Sequence, residues 1–246
     1  LLFGGWNTCD DTEEYNGTNY ATAANMAIGR YAMIGFGTQN AAIGAGGTVS
    51  DSNGGSASTE QYDGASWTNQ VSMITPRFIG GAGTINSAIV GFGRNSPTRA
   101  MNCTELWNGT AWSETVEAIV TGEQGVSYGT QNTFAITAGC GESPYPVLTT
   151  TQFFDGISYS TDGNLITAGY NRCGANKAGQ DAGLVFGGYS SRTICETEEY
   201  NAYYTTGSFG RVETPDVQLG GDSQLVVSAS LQIPVYATSV GIVSSS

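Results

Sequence analysis

Histidine is absent from this 246-residue chain, and lysine occurs once, at Lys177. Without histidine, neither a Ser-His-Asp triad nor a Cys-His pair can be assembled. The imidazole ligands of copper and zinc enzymes are missing as well. Charge is scarce: eight basic residues face 21 acidic ones, for a net charge of −13. A nucleic-acid ligand calls for clustered Lys and Arg, so nucleic acid is excluded as a partner. An anionic membrane surface is disfavoured for the same reason. No run of 18 apolar residues exists, so no membrane insertion through a helix is expected. No window shows apolar spacing of 3.6, so little helix is expected. The five cysteines, Cys9, Cys103, Cys140, Cys173 and Cys195, contain no Cys-x-x-Cys. They suggest neither a disulfide framework nor a zinc finger, and a thiol-tolerant compartment is expected. There is no initiating Met and no signal segment. Leu1 opens inside a strand-like stretch, so the expectation is that the chain continues upstream.

What is abundant is glycine, with 36 residues against six prolines. Glycine is a good turn residue and a poor helix residue, so many tight turns are expected. Hydrophobic residues at 39 % and aromatics at 11 % suffice for a sizeable core. The length suits one large all-β domain or two ordinary ones.

These residues recur in register. TEEYNGTNY (12–20), TEQYDGASW (59–67) and TELWNGTAW (104–112) share an acid, an aromatic, a turn pair and a second aromatic. The first aromatic falls at Tyr15, Tyr62, Trp107, Phe154 and Tyr200, at intervals of 47, 45, 47 and 46 residues. The turn glycine follows at Gly17, Gly64, Gly109 and Gly156, and Asn201-Ala202 is a degenerate copy. The second aromatic is Tyr20, Trp67, Trp112, Tyr159 or Tyr204. An apolar run ending in glycine keeps the same phase: LLFGG, AAIGAGG, AIVGFG, FAITAGCG and LVFGGY. A Gly-rich stretch with a polar turn (GFGTQN, GAGTIN, YGTQN) precedes the later runs, with Arg30 and Arg77 upstream of the first two.

One copy therefore reads as four short strands. The apolar run is predicted to be buried on both faces. The Asn-Gly and Asp-Gly pairs predict type I′ hairpins, which need φ > 0 at both central residues. A four-stranded repeat of this length is the signature of a β-propeller blade. The aromatics are then expected to pack blade on blade, and Gly-Gly to let strands crowd near the central channel.

The order Arg, Gly-rich strand, apolar run, Gly-Gly, loop, Glu-x-Tyr-[Asp/Asn]-Gly and Trp resembles the kelch repeat over about residues 1–205. The flavour of the copies (GAGTQ-like, TEEYNGT) is similar to the kelch-type repeats of tailed-bacteriophage virion proteins, especially fibres of marine phages. The expected architecture is an all-β, kelch-like propeller of about five visible blades over 1–222, followed by a β-rich docking segment over 223–246. Residues 215–222, with Arg211 upstream, are expected to close the first blade, since closure leaves no free sheet edge. The other arrangement is a larger ring of six or seven blades.

Candidate chemistry reduces to architecture. Glu13, Glu60, Glu105 and Glu198 could suggest a carboxylate pair, but a glycosidase pair must share one cleft and repeated positions spread around a ring. They read as a structural strand position. TDGN (161–164) is a poor match to a sialidase Asp-box. Asn16, Asn102 and Asn108 match the glycosylation acceptor pattern, two of them where the fold itself calls for Asn-Gly. Cys9–Glu14 is acidic but lacks calcium-loop spacing, and it reads as a solvated loop. No cofactor is expected.

Function is expected in the loops that do not repeat: 48–58, 94–102, 142–150 and 189–195. A rigid scaffold with divergent loops is the usual form of a binding surface. Arg99, Tyr145, Tyr189 and Arg192 are the candidate contacts, because Tyr and Arg dominate binding hot spots. The resemblance implies a non-enzymatic structural or adhesion protein of a phage virion, located in a fibre, tail or capsid appendage. Its expected partners are other virion proteins, further copies of itself and a bacterial surface glycan or receptor. The alternatives are a cellular kelch interaction module and, more distantly, a carbohydrate-active enzyme.

Overall fold

A computed structural model describes residues 1–201 apart from 50–53, 96–99, 138, 140–145, 162 and 177–181. The expected closing strand at 215–222 and the segment 223–246 lie outside the described residues. Leu1–Tyr203 forms one compact unit. Its described residues hold strands, turns and no helix.

Five small antiparallel sheets form a ring, a five-bladed β-propeller. The first blade is β1 (Leu2–Gly5), β2 (Cys9–Tyr15) and β3 (Tyr20–Thr22). The second is β4 (Tyr31–Thr38), β5 (Ala41–Thr48), β6 (Thr59–Tyr62) and β7 (Trp67–Asn69). The third is β8 (Phe78–Thr84), β9 (Ser87–Arg94), β10 (Thr104–Trp107) and β11 (Trp112–Glu114). The fourth is β12 (Val126–Thr130), β13 (Thr133–Thr137), β14 (Thr151–Phe154) and β15 (Tyr159–Thr161). The fifth is β16 (Cys173–Asn176), β17 (Ala182–Phe186) and β18 (Thr197–Asn201). Each sheet is a meander, and β4, β8, β12 and β16 adjoin one another around the axis.

The apolar runs are buried on both faces, as their lack of alternation predicts: Ala42–Thr48 of β5 and Ala88–Gly93 of β9 are wholly buried. Neighbouring blades cover them. Ile43, Ala45, Ala88, Val90, Trp107 and Trp112 form one core between the second and third blades. Ile89, Phe92, Phe134, Ile136 and Phe154 form the next.

The repeated aromatics hold the ring in two ways. Within a blade the pair stack: Tyr62 on Trp67 at 5.2 Å, Trp107 on Trp112 at 5.2 Å, and Phe154 on Tyr159 at 5.1 Å. Between blades the second aromatic reaches the threonine before the repeated acid. Trp67 Nε1 donates to Thr12 Oγ1 at 2.9 Å, and Trp112 Nε1 to Thr59 Oγ1 at 3.1 Å. The Tyr159 and Thr104 hydroxyls meet at 3.0 Å. Burial pushes the Tyr159 pKa up to about 12, so this hydroxyl stays protonated at neutral pH. Tyr20 and Thr197, at the same repeat positions in the first and fifth blades, are both exposed.

The terminal glycines do more than allow crowding. Gly4, Gly46 and Gly187 take φ of 66°, 69° and 64°, and Gly5, Gly47 and Gly188 follow with φ of 148°, 86° and 99°. This left-handed kink turns the next amide toward the neighbouring blade. Gly5 N–H donates to Arg30 O at 3.0 Å, Gly47 N–H to Arg77 O at 2.9 Å and Gly93 N–H to Gly122 O at 2.9 Å. In the third blade Phe92 adopts the kink itself, at φ 63°, and fills the adjoining core.

The repeated acid is a buried structural anchor. Glu60 Oε1 accepts from Arg30 Nη2 at 2.9 Å, and Glu198 Oε1 from Arg172 Nη1 at 2.9 Å. Glu105 takes Arg77 in the same way, and both members of that pair are fully buried. The carboxylates also cap the loop entering the blade, through the amides of Ala27, of Ile74 and Thr75, and of Ile166 and Thr167. In the fourth blade Gln152 stands in place of the acid, exchanging two hydrogen bonds with the Val120 backbone. Glu13 is exposed, and no described strand lies on the inner side of β1 to bring an arginine to it.

Two expectations are corrected. The hairpins are not type I′. Tyr62 pairs with Trp67 across a four-residue loop, and only its glycine has positive φ, 95° at Gly64. The reason is the Asx side chain: Asp63 Oδ1 accepts from the Ser66 and Ala65 amides at 2.8 and 2.9 Å, closing a wider turn. Asn16, Asn108 and Asp155 do the same. The acidic stretch Cys9–Glu14 is not a loop but strand β2, paired with β1 and β3.

The turn chemistry makes stability depend on acid. The Ser66 and Ala65 amides hold the Asp63 carboxyl below the usual aspartate range, and the Ser158 and Ile157 amides do so for Asp155. A carboxyl depressed in the folded state contributes stability above its unfolded pKa of about 3.9, and loses it as pH falls through the folded value. Asp63→Asn keeps the acceptor without the titration. Chemical unfolding at pH 7 and pH 3 is expected to show a smaller stability difference for Asp63→Asn than for the parent. An equal difference would contradict the assignment.

Candidate functional site

The two ends of the ring differ in what they carry. At one end the inner turns of the second to fourth blades abut their own hairpins: Gly64 lies against Asn40, Gly109 against Asn86 and Gly156 against Asn132. This end repeats from blade to blade. The other end collects the segments after the kinked glycines, together with the starts of β4, β8, β12 and β16. The described ends of the non-repeating loops leave the frame there.

Of the four expected contact residues, Arg99 and Tyr145 lie outside the described residues. Tyr189 is half exposed and stacks edge-on against Tyr170 at 5.7 Å, its backbone exchanging hydrogen bonds with the same residue. Arg192 is 69 % exposed and pairs with Glu196 at 2.9 Å within the same loop. Arg192 helps the turn amides hold the Glu196 carboxyl below its usual range. The two residues thus share the fifth-blade loop, on one small antiparallel turn.

The same end holds a cavity of about 690 Å³, lined by parts of all five blades. Trp6 comes from the first blade, Tyr31, Ala32 and Met33 from β4, and Phe78 and Arg94 from β8 and β9. Glu123, Gln124 and Gly125 enter before β12, and Asn171 and Arg172 before β16. Its size lies within the range of small-molecule sites, about 300–1,000 Å³. Trp6 is 74 % exposed and lies against Tyr31 with centroids 5.0 Å apart. The Arg94 guanidinium covers the Phe78 ring at 4.9 Å, and its Nε is 3.3 Å from Glu123 Oε2. Arg172 is committed to the frame, donating to Gly187 O, Thr167 O, Glu196 O and Glu198.

Backbone strain gathers at this rim. Among the described residues six non-glycines have positive φ; Ala32 (53°), Gln124 (55°) and Asn171 (51°) line the cavity, and Asn7 (63°) and Thr8 (55°) follow Trp6. Each such residue costs of order 1–2 kcal/mol, which the surrounding packing must offset. Among the described residues no group of three or more Cys, Asp or Glu is placed to hold a metal ion, and Cys9, Cys103, Cys173 and Cys195 are free thiols.

Sequence reasoning missed this cavity. Its signal was present in the register: the residue after the kinked pair is Trp6, Thr48, Arg94 or Tyr189, so a frame position that should repeat diverges, and two of its members, Trp6 and Arg94, line the cavity.

No protein-family profile matches the chain, and no curated protein does. Among solved structures 157 chains match, so the architecture is widely shared. One, described as the structure of YjhT, superposes with a TM-score of 0.65 at 9 % identity, covering 76 % of this chain and 71 % of that one. The likeness is one of fold. A fold used this widely does not fix function, which has to be argued from the site.

Proposed function

We propose that this protein is a non-enzymatic structural and adhesion component of a tailed-phage virion. It presents a binding face on a rigid propeller, in a fibre, tail or capsid appendage. The observation that carries the adhesion part is the division of the ring. One end repeats the same turn-against-hairpin contact in the second to fourth blades, whereas the other gathers the divergent loops, an exposed Trp, Tyr189, Arg192 and an open axial cavity. The virion part is supported by the texture of the repeats, which resemble those of phage virion proteins. The buried Glu-Arg pairs also support a non-catalytic role, because the repeated acids are consumed in holding each blade to its loop. Many copies on one particle would convert weak single contacts into firm attachment. Immunogold labelling of purified particles with an antibody to this chain tests the placement. Gold on an external appendage is the expected result, and particles bare of gold would overturn it.

A further inference from the structure

We propose that the axial cavity is a saccharide site for an uncharged sugar, with Trp6 as its stacking platform. The inference rests on the adhesion reading and names the class of ligand. Trp6 is the starting point. A tryptophan 74 % exposed leaves a large apolar face in water, yet Tyr31 packs beside it at 5.0 Å and sets its position. A pyranose ring offers the matching surface, a flat apolar face of C–H groups with hydroxyls around its edge. Aromatic rings with a polar tip bind such amphipathic partners at low entropic cost.

The remaining lining decides the charge. Arg94 and Glu123 lie 3.3 Å apart and offset one another. Arg172 has its guanidinium occupied by three carbonyls and Glu198. No net charge is left to balance an ionic ligand, and a chain of net charge −13 repels an anionic one. A purely apolar ligand would strip water from Arg94, Gln124 and Asn171 without replacing its hydrogen bonds, which is costly. Hydroxyls both donate and accept, and so suit carboxamides and an ion pair together. The strained backbone at Ala32, Gln124 and Asn171 places three of these rim positions in fixed geometry before any ligand arrives.

The test uses the full chain and an immobilised panel of neutral hexose and N-acetylhexosamine oligosaccharides, with sialylated and amine-bearing glycans alongside. The expected result is binding to neutral members of the panel. Trp6→Ala is expected to weaken that binding by at least ~10-fold and Trp6→Phe by less, with thermal unfolding unchanged in both because the side chain is exposed. Absence of neutral-sugar binding, preference for the charged glycans, or equal binding by Trp6→Ala would each overturn the inference. The outcome separates from that of the virion reading. Labelled particles without sugar binding defeat only the saccharide site, and sugar binding with unlabelled particles defeats only the virion placement.

Discussion

Glu105→Gln is expected to destabilise the protein by about 3–5 kcal/mol, although the two side chains are nearly the same size. Glu105 and Arg77 are both fully buried. The glutamine keeps one acceptor oxygen and can still accept from the Ile74 amide, which now bonds Oε2 at 2.7 Å, whereas the Thr75 amide, at 3.1 Å from Oε1, loses its acceptor. What it cannot do is balance the Arg77 guanidinium, which stays buried and charged. Gln152 is the natural counterpart without a charge to balance. A glutamine serves in the fourth blade, where Glu123, Gln124 and Gly125 precede the inner strand and no arginine does. Accordingly Arg77→Met combined with Glu105→Gln is expected to recover part of the loss. Guanidinium-chloride unfolding at pH 7 measures both, and a loss under about 1 kcal/mol for Glu105→Gln would contradict the role given to the pair.

Trp107→Ala is expected to cost a comparable amount, about 3–5 kcal/mol. Trp107 is fully buried among Ile43, Ala88, Val90 and Trp112. Its indole donates to Ile85 O at 2.8 Å, and Gln131 donates to its carbonyl at 2.8 Å. Truncation therefore opens a cavity between two blades and orphans a turn carbonyl. Trp6→Ala serves as the internal control, since loss of an exposed tryptophan is expected to change stability by less than about 0.5 kcal/mol. Equal effects from the two would show that the repeated aromatics are not what holds the blades.

The frame was legible because it repeats. A position that recurs at Tyr62, Trp107 and Phe154 has one structural job, and five copies average out local accidents. The burial of β5 and β9 followed from their unbroken apolar runs. The hairpin type did not follow, because Asn-Gly and Asp-Gly serve both a two-residue I′ turn and the wider turn found here. The choice was made by the Asp63 and Asn108 side chains capping two amides each. The buried ion pairs were half legible: the acids recurred plainly, but their arginines lie 26 to 30 residues upstream, just ahead of the innermost strand. The cavity was hidden for the opposite reason. Its residues are those that fail to recur, and only the arrangement of the sheets around one axis brings Trp6 into one space with Gln124 and Asn171.

Binding of purified protein to intact host cells, with substitutions placed on each end of the ring, tests the central claim most directly. Arg192→Glu reverses a charge at the divergent end, and Gln39→Glu adds one negative charge at an inner turn of the repeating end. Arg192→Glu is expected to lower cell binding severalfold and Gln39→Glu to leave it unchanged, with both proteins equally folded. Equal loss from the two, or loss from Gln39→Glu alone, would contradict it.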